Sequence, residues 1–150
     1  MTAVIEDALI NDLDRLFEVE TECFKEEAFT KEQIAQLLKE YNCVSSVARV
    51  GGIIAGFVIG MMYVDRKALR AQILTIDVSP AYRRRGIGQL LLREIERIFR
   101  DKGVKASTLE VREDNIAAIN LYRKLGYKNV GKLRNYYGDA NGIYFKKALA

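Results

Sequence analysis

Two stretches of this chain combine residue types and spacings that could do chemistry. The first is Arg83-Arg84-Arg85-Gly86-Ile87-Gly88-Gln89, three cations running into two glycines one residue apart. Glycine carries no Cβ, so Gly86 and Gly88 would let a backbone approach a ligand closely. Where such a turn opens a helix, the first amides lack partners and the helix end is partly positive, which suits a phosphate. The arginines would add positive potential. The third glycine of a dinucleotide-binding turn is missing, and so is a phosphate-loop lysine motif. By itself the pattern describes an ordinary strand–helix turn as well as a cradle for an anion.

The second stretch is Leu109-Glu110-Val111-Arg112, followed by Asn115, Ala118, Leu121-Tyr122 and Leu125-Gly126-Tyr127. A helix advances about 100° per residue. Asn115, Ala118, Ile119 and Tyr122 would therefore share one side, and Ala117, Leu121 and Leu125 another that packs on a sheet. Glu110 stands among small and apolar strand neighbours, where a carboxylate needs a cavity or a partner. An ion pair for the glutamate and a core position for the tyrosine are the ordinary alternatives.

What must position these residues is an alternation of strands and helices. Thr2–Glu6 reads as a short strand, and Asn11 onward as a helix through Leu13, Leu16, Phe17 and Glu20/Cys23. Thr30 with Gln33 has the form of a capping box opening a second helix. Cys43–Val50, Gly51-Gly52 and Ile53–Val64 read as a hairpin, and Leu69–Val78 as a further strand stopped by Ser79-Pro80. The glycine turn opens a long helix with an apolar stripe of Ile87, Leu90, Leu91, Ile95, Ile98 and Phe99, ended by Lys102-Gly103. Val104–Arg112 is a strand and Asn115–Lys124 a helix. Tyr127–Arg134 and Ile143–Leu149 form a last hairpin around Asn141-Gly142. This order predicts an α/β (α+β) three-layer domain spanning residues 1–150, with a mixed central sheet of about seven strands and helices on both faces.

Composition removes whole classes of mechanism. The 150 residues include no histidine, two cysteines and one proline, and 24 Lys+Arg against 20 Asp+Glu give a net charge of +4. Without histidine there is no Ser-His-Asp or Cys-His nucleophile and no His-ligated metal. Two cysteines cannot build a four-thiolate zinc site or an iron–sulfur cluster, so no metal is expected. Acid–base work falls to Glu, Asp, Tyr, Lys, Cys, water or the substrate. Cys23 and Cys43 are expected as free thiols of a reducing compartment. The first residues lack the basic-then-apolar layout of a secretion signal. No apolar run approaches the ~20 residues of a membrane span, so a cytoplasmic protein without a membrane partner is expected. The one basic run has no interleaved aromatics, which argues against nucleic acid.

Together the two stretches resemble the GNAT superfamily of acetyl-coenzyme A-dependent N-acetyltransferases. Arg83-x-x-Gly86-x-Gly88 after the strand Leu74–Val78 is similar to that family's Q/R-x-x-G-x-G/A signature. Leu109-Glu110-Val111-Arg112-x-x-Asn115, Leu121-Tyr122-x-x-Leu125-Gly126-Tyr127 and Arg134-Asn135-Tyr136-Tyr137 look like the N-terminal acetyltransferases of the RimI-like and archaeal groups. The resemblance implies acetyl-CoA as cosubstrate and a protein or peptide N-terminus as acceptor. By the same resemblance Ile76, Asp77 and Val78 offer backbone groups to the pantetheine arm. Arg83, Arg84, Arg85, Gly86, Ile87, Gly88 and Gln89 hold the pyrophosphate, and Asn115 bonds the pantetheine. Glu110 is the general base, through a water, and Tyr122 the acid that protonates the departing thiolate. Tyr136 and Tyr137, with Phe24, Glu26, Phe29 and Leu74, form the slot for the N-terminus. Phe24-Lys25-Glu26-Glu27-Ala28-Phe29 departs from the Pro-Trp usual there, which leaves peptide specificity open. Open too are ribosome association, a partner subunit, and the alternatives of a lysine or small-molecule amine acceptor or a non-catalytic acyl-CoA-binding module.

The amine itself favours the first reading. An α-amino group has a pKa of about 7.7–8.0 and lysine about 10.4. Near neutrality roughly a tenth of an N-terminus is uncharged, against fewer than about one lysine in a thousand. A carboxylate acting through water is an adequate base for the former only.

Overall fold

A hydrophobic sheet with helices on both faces is what the alternating pattern demands, and the computed structural model, which describes residues 2–149, has that form. Strands β1 (Val4–Asp7), β2 (Cys43–Val50), β3 (Ile53–Asp65), β4 (Ala68–Val78), β5 (Ala106–Arg112), β6 (Lys128–Leu133) and β7 (Gly142–Ala148) form one seven-stranded sheet in the order β1-β2-β3-β4-β5-β7-β6. Helices α1 (Leu13–Cys23) and α2 (Lys31–Lys39) cover one face. On the other lie α3 (Ile87–Asp101) and α4 (Ile116–Lys124). Every neighbouring pair is antiparallel except β4 and β5, which run parallel because α3 carries the chain back between them.

Local signals act as read. Thr30 Oγ1 accepts from the Gln33 amide at 3.1 Å while Gln33 Oε1 accepts from the Thr30 amide at 2.8 Å, the two halves of a capping box for α2. Gly103, at φ +87°, ends α3. Both cysteines are free.

The structure corrects several expectations. The first strand runs to Asp7, and a short 3-10 turn, Ile10–Asp12, precedes α1. Another 3-10 turn, Pro80–Tyr82, separates β4 from the basic residues, because Pro80 fixes the chain at a helical first position. Val104 and Lys105 lie before β5, Tyr127 before β6, Arg134 after it and Leu149 after β7. On α3, Leu90 faces solvent and Leu92 takes the core position beside Leu91. On α4, Ile119, Tyr122 and Leu125 face the core while Ala117 is exposed. That helix rolls so that its tyrosine is buried and Ala117 faces outward, while Ala118 packs half-buried against the core.

The two faces hold separate cores. Leu16, Val19 and Ile34 pack with Val47, Ile54, Phe57 and Ile59 beneath α1 and α2. Leu91, Leu92, Ile95 and Phe99 of α3 pack with Val58, Ile73, Leu109 and Phe145. Gly56 of β3 sits where no side chain fits: a Cβ there would lie 2.5 Å from the Asp77 carbonyl oxygen and 3.3 Å from Leu91. Gly56→Ala forces backbone against backbone, which is expected to cost about 1–3 kcal/mol. For a chain of this size the thermal midpoint should drop by roughly 2–4 °C per kcal/mol, read by calorimetry. A midpoint equal to the parent's would refute the close approach.

Candidate active site

The site begins where the sheet comes apart. β4 and β5 pair only through Ala71–Ile73 and Ser107–Leu109. Beyond that point β4 continues to Val78 and β5 to Arg112 with no pairing between them. The cause is a bulge: Ile59 and Gly60 of β3 face Thr75 and Ile73 of β4, so Leu74 is an extra residue. A bulge bends its strand and turns consecutive side chains to one side. Leu74 packs with the α1–α2 core and the Thr75 hydroxyl reaches Glu20 of α1, whereas Ile76 and Val78 pack with the α3–α4 core. The bent half of β4 therefore has no β5 partner on the side of the gap, the kind of edge to which an extended chain adds, although its Val78 carbonyl accepts from Arg83 Nε and Cys23 Sγ.

A cleft of about 1130 Å³ opens at this split. Its wall includes Leu74, Thr75 and Ile76 of β4, Glu110 and Arg112 of β5, Asn115, Ala118 and Tyr122 at α4, Phe24–Glu27 and Phe29 after α1, and Tyr136, Tyr137 and Asp139 between β6 and β7. Glu110 and Tyr122 reach it from opposite faces of the sheet. Glu110, half-buried, accepts from Gln72 Nε2 at 3.3 Å on the face that carries α1 and α2. Tyr122, only 7% exposed, belongs to the other core, its ring centroid 6.1 Å from both Tyr127 and Phe145. Burial above all holds its hydroxyl well above the ordinary phenol range, so it stays protonated. A separated strand pair is what lets a carboxylate and a phenol on opposite faces meet one ligand.

Asn115 caps α4, its Oδ1 accepting from the Ala118 amide at 3.2 Å, which leaves its side-chain amine as the group it can offer the cleft. The basic turn lies outside the cleft proper, beyond the end of β4. Gly86 is the N-cap of α3 in the left-handed conformation, φ +77°, with no side chain capping the helix. A Cβ at Gly86 would meet nothing, so glycine is there for its backbone angle. At Gly88 a Cβ would lie 3.2 Å from Leu121, so this glycine lets α3 and α4 approach. Arg84 also has positive φ, +64°, and Arg84 and Arg85 are exposed. Arg83 is committed differently: its Nε donates to the Val78 carbonyl at 3.1 Å, and its other end lies 3.6 Å from Cys23 Sγ.

The opposite wall is held by Arg112, a motif residue with no role assigned from the sequence. Arg112 donates to both carboxylate oxygens of Asp139 at 3.0 Å and to Asp114 at 3.1 and 3.3 Å. Its guanidinium also lies 5.4 Å from the centre of the Tyr137 ring and 3.9 Å from Glu27. It therefore ties the Tyr136–Tyr137 turn to the segment after α1. The Glu110 carboxylate, hydrogen-bonded to Tyr136, pushes that hydroxyl up to about 12. Burial, then the Glu110 charge, pushes Tyr137 up to about 12 as well. Both remain neutral donors. Gln72, Glu20 and Asp139 were also not foreseen; only the arginine of Leu-Glu-Val-Arg carried a local signal.

Fold and cleft together define an acetyltransferase, and the chain belongs to the acetyltransferase (GNAT) family, whose model matches residues 10–127. An N-alpha-acetyltransferase of Sulfurisphaera tokodaii is 31% identical over 153 aligned residues, covering 96% of this chain and 91% of that one. The [ribosomal protein bS18]-alanine N-acetyltransferase of Escherichia coli K12 is 37% identical over 91 residues, 61% of this chain and 59% of the other. Among solved structures, Ard1 from Thermoplasma volcanium superposes with a TM-score of 0.90 at 27% identity, covering 100% of this chain and 99% of that one. The Escherichia coli ribosomal-protein-S18-alanine N-acetyltransferase gives 0.89 at 26%, covering 99% and 95%. Among the described residues no helix is long and apolar enough to cross a membrane, and no group of three or more Cys, Asp or Glu converges as a metal site.

Proposed function

We propose that this protein transfers the acetyl group of acetyl-CoA to the α-amino group of a protein N-terminus. The observation that carries the reading is the gap between β4 and β5, entered by Glu110 from one face and Tyr122 from the other and walled by Tyr136 and Tyr137. The residues suit the donor. The main chain of Ile76–Val78 can receive the pantetheine arm as an added strand, beside the Asn115 side-chain amine. The unpaired amides from Arg84 to Gln89, opening on the uncapped start of α3, suit a pyrophosphate, and the surrounding arginines add positive potential.

The acceptor enters from the side of Phe24, Glu26, Phe29 and Leu74. Its amine gives up a proton to Glu110 through a water and attacks the thioester carbonyl. As the carbon–sulfur bond breaks, the sulfur takes a proton from Tyr122; the extra proton on the new amide nitrogen passes to solvent, which also restores the Tyr122 proton. No covalent enzyme intermediate is needed, in keeping with a chain that lacks histidine. A library of peptides varied at their first two residues, with N-terminally blocked peptides carrying a lysine as control, tests the reading. We expect free α-amines to be acetylated and blocked peptides to be ignored. Acetylation of blocked peptides at lysine alone would overturn it.

A further inference from the structure

We propose that Glu20 and Asp77, bridged by Thr75, form a carboxyl pair holding a single proton, and that this pair positions the acceptor wall of the cleft. The inference rests on the reading of that wall as the slot for a peptide N-terminus. Glu20 and Asp77 are each 1% exposed, and Thr75 is 6% exposed. Thr75 Oγ1 lies 3.0 Å from Glu20 Oε1 and 2.5 Å from Asp77 Oδ1. Three oxygens in a row at these separations need two protons, and the hydroxyl supplies one. The second belongs to a carboxyl.

Asp77 is the one that keeps it. Its Oδ2 is buried without a hydrogen-bond partner among the described residues, which a neutral acid tolerates far better than a carboxylate does. Burial, and then the Glu20 carboxyl beside it, hold Asp77 well above the usual carboxylate range. Asp77 thus donates to Thr75, and Thr75 donates to Glu20. The second oxygen of Glu20, Oε2, accepts the Phe29 amide at 3.0 Å. Glu20 has a donor on each oxygen, and through Phe29 it ties the segment after α1 to the bent half of β4.

The other groups around the pair leave this proton in place. Cys23 of α1, pushed up to about 11 mainly by burial, stays a thiol, and Glu22 of α1 is engaged by Ser79. Arg83, beyond β4, works against the proton, but less strongly than burial and Glu20 work for it; Tyr122 comes from α4, and β3 faces the pair with the apolar Phe57 and Ile59. Since the folded state raises the carboxyl, the proton is held above the ordinary carboxylate range and lost to solvent as pH climbs through the raised value. Two carboxylates then share one hydroxyl, and the strain falls on the tie to Phe29.

The test is the peptide KM as pH rises from the ordinary carboxylate range upward, with the acetyl-CoA KM measured alongside. In the wild type the peptide KM is expected to climb roughly tenfold, the size of one hydrogen bond to a charged group, while the acetyl-CoA KM stays level. Asp77→Asn offers Thr75 a donor that cannot ionise, so its peptide KM should not show that climb. Titration of the amine itself is common to both proteins. Equal climbs would overturn the proposal. Carboxyl-carbon NMR of the wild-type protein needs no substrate: one of the two carboxyls should stay protonated through the ordinary carboxylate range. Two carboxyls titrating within that range would sink the pair, whatever the acceptor. Absence of α-amine acetylation would remove the peptide reading and leave the NMR result to decide whether the proton is shared.

Discussion

Tyr122→Phe should lower kcat by about a hundredfold to a thousandfold, within the range of general acid catalysis, and leave the affinity for acetyl-CoA unchanged. The ring is fixed by Tyr127 and Phe145 at 6.1 Å, and phenylalanine preserves both contacts. Only the hydroxyl is lost, so the thermal midpoint should stay near that of the parent. The expected size follows from where the hydroxyl sits. Burial holds it above the ordinary phenol range, so it is protonated throughout the working range but is a weak acid. Such a group gives little to an intact thioester. It acts as the carbon–sulfur bond stretches, when charge builds on sulfur inside a poorly solvated wall. The loss should therefore appear in kcat and not in ground-state binding. Single-turnover rates and calorimetric titration with acetyl-CoA separate the two. An unchanged single-turnover rate would remove Tyr122 as the acid.

The contrast between Tyr122 and Glu20 shows how far the sequence reaches. Helices, hairpins and the positions of Thr30, Gly86 and Asn115 are local: each depends on residues within a turn or two, and each stands within a residue or so of its predicted place. The convergence of Glu110 with Tyr136 and Tyr137 was legible through the resemblance to a known family, whereas the strand order was not predicted. What escaped was set by contacts far apart in the chain. The Leu74 bulge depends on how β3 and β4 register, and nothing near Leu74 announces it. Glu20 read as one more position of an amphipathic helix, yet its partner Thr75 lies 55 residues away. Asp77 was assigned through its backbone, while its side chain turns to the opposite face. Arg112 is the intermediate case, visible in a motif but without a role until Asp139 closes around it.

Glu110→Gln should show a deficit whose pH dependence names the acceptor. Glutamine has the same shape and can still accept the hydrogen bond from Gln72, so the wall around Tyr136 should be preserved. It cannot take a proton. At neutral pH we expect kcat/KM for a peptide to fall by about a hundredfold or more, as for removal of a general base. Part of that loss is the work of deprotonating the ammonium before attack. An α-amine with a pKa of about 7.7–8.0 does this unaided as pH rises. Near neutrality roughly a tenth of it is free, so full deprotonation restores a little less than about tenfold. The ratio of wild type to variant should thus narrow by that amount around pH 8 and then level off. The residue of the deficit reflects the second proton, released after attack. With a lysine acceptor the narrowing would begin only near its pKa of about 10.4. A variant whose rate and pH profile match the wild type would place the base on another residue.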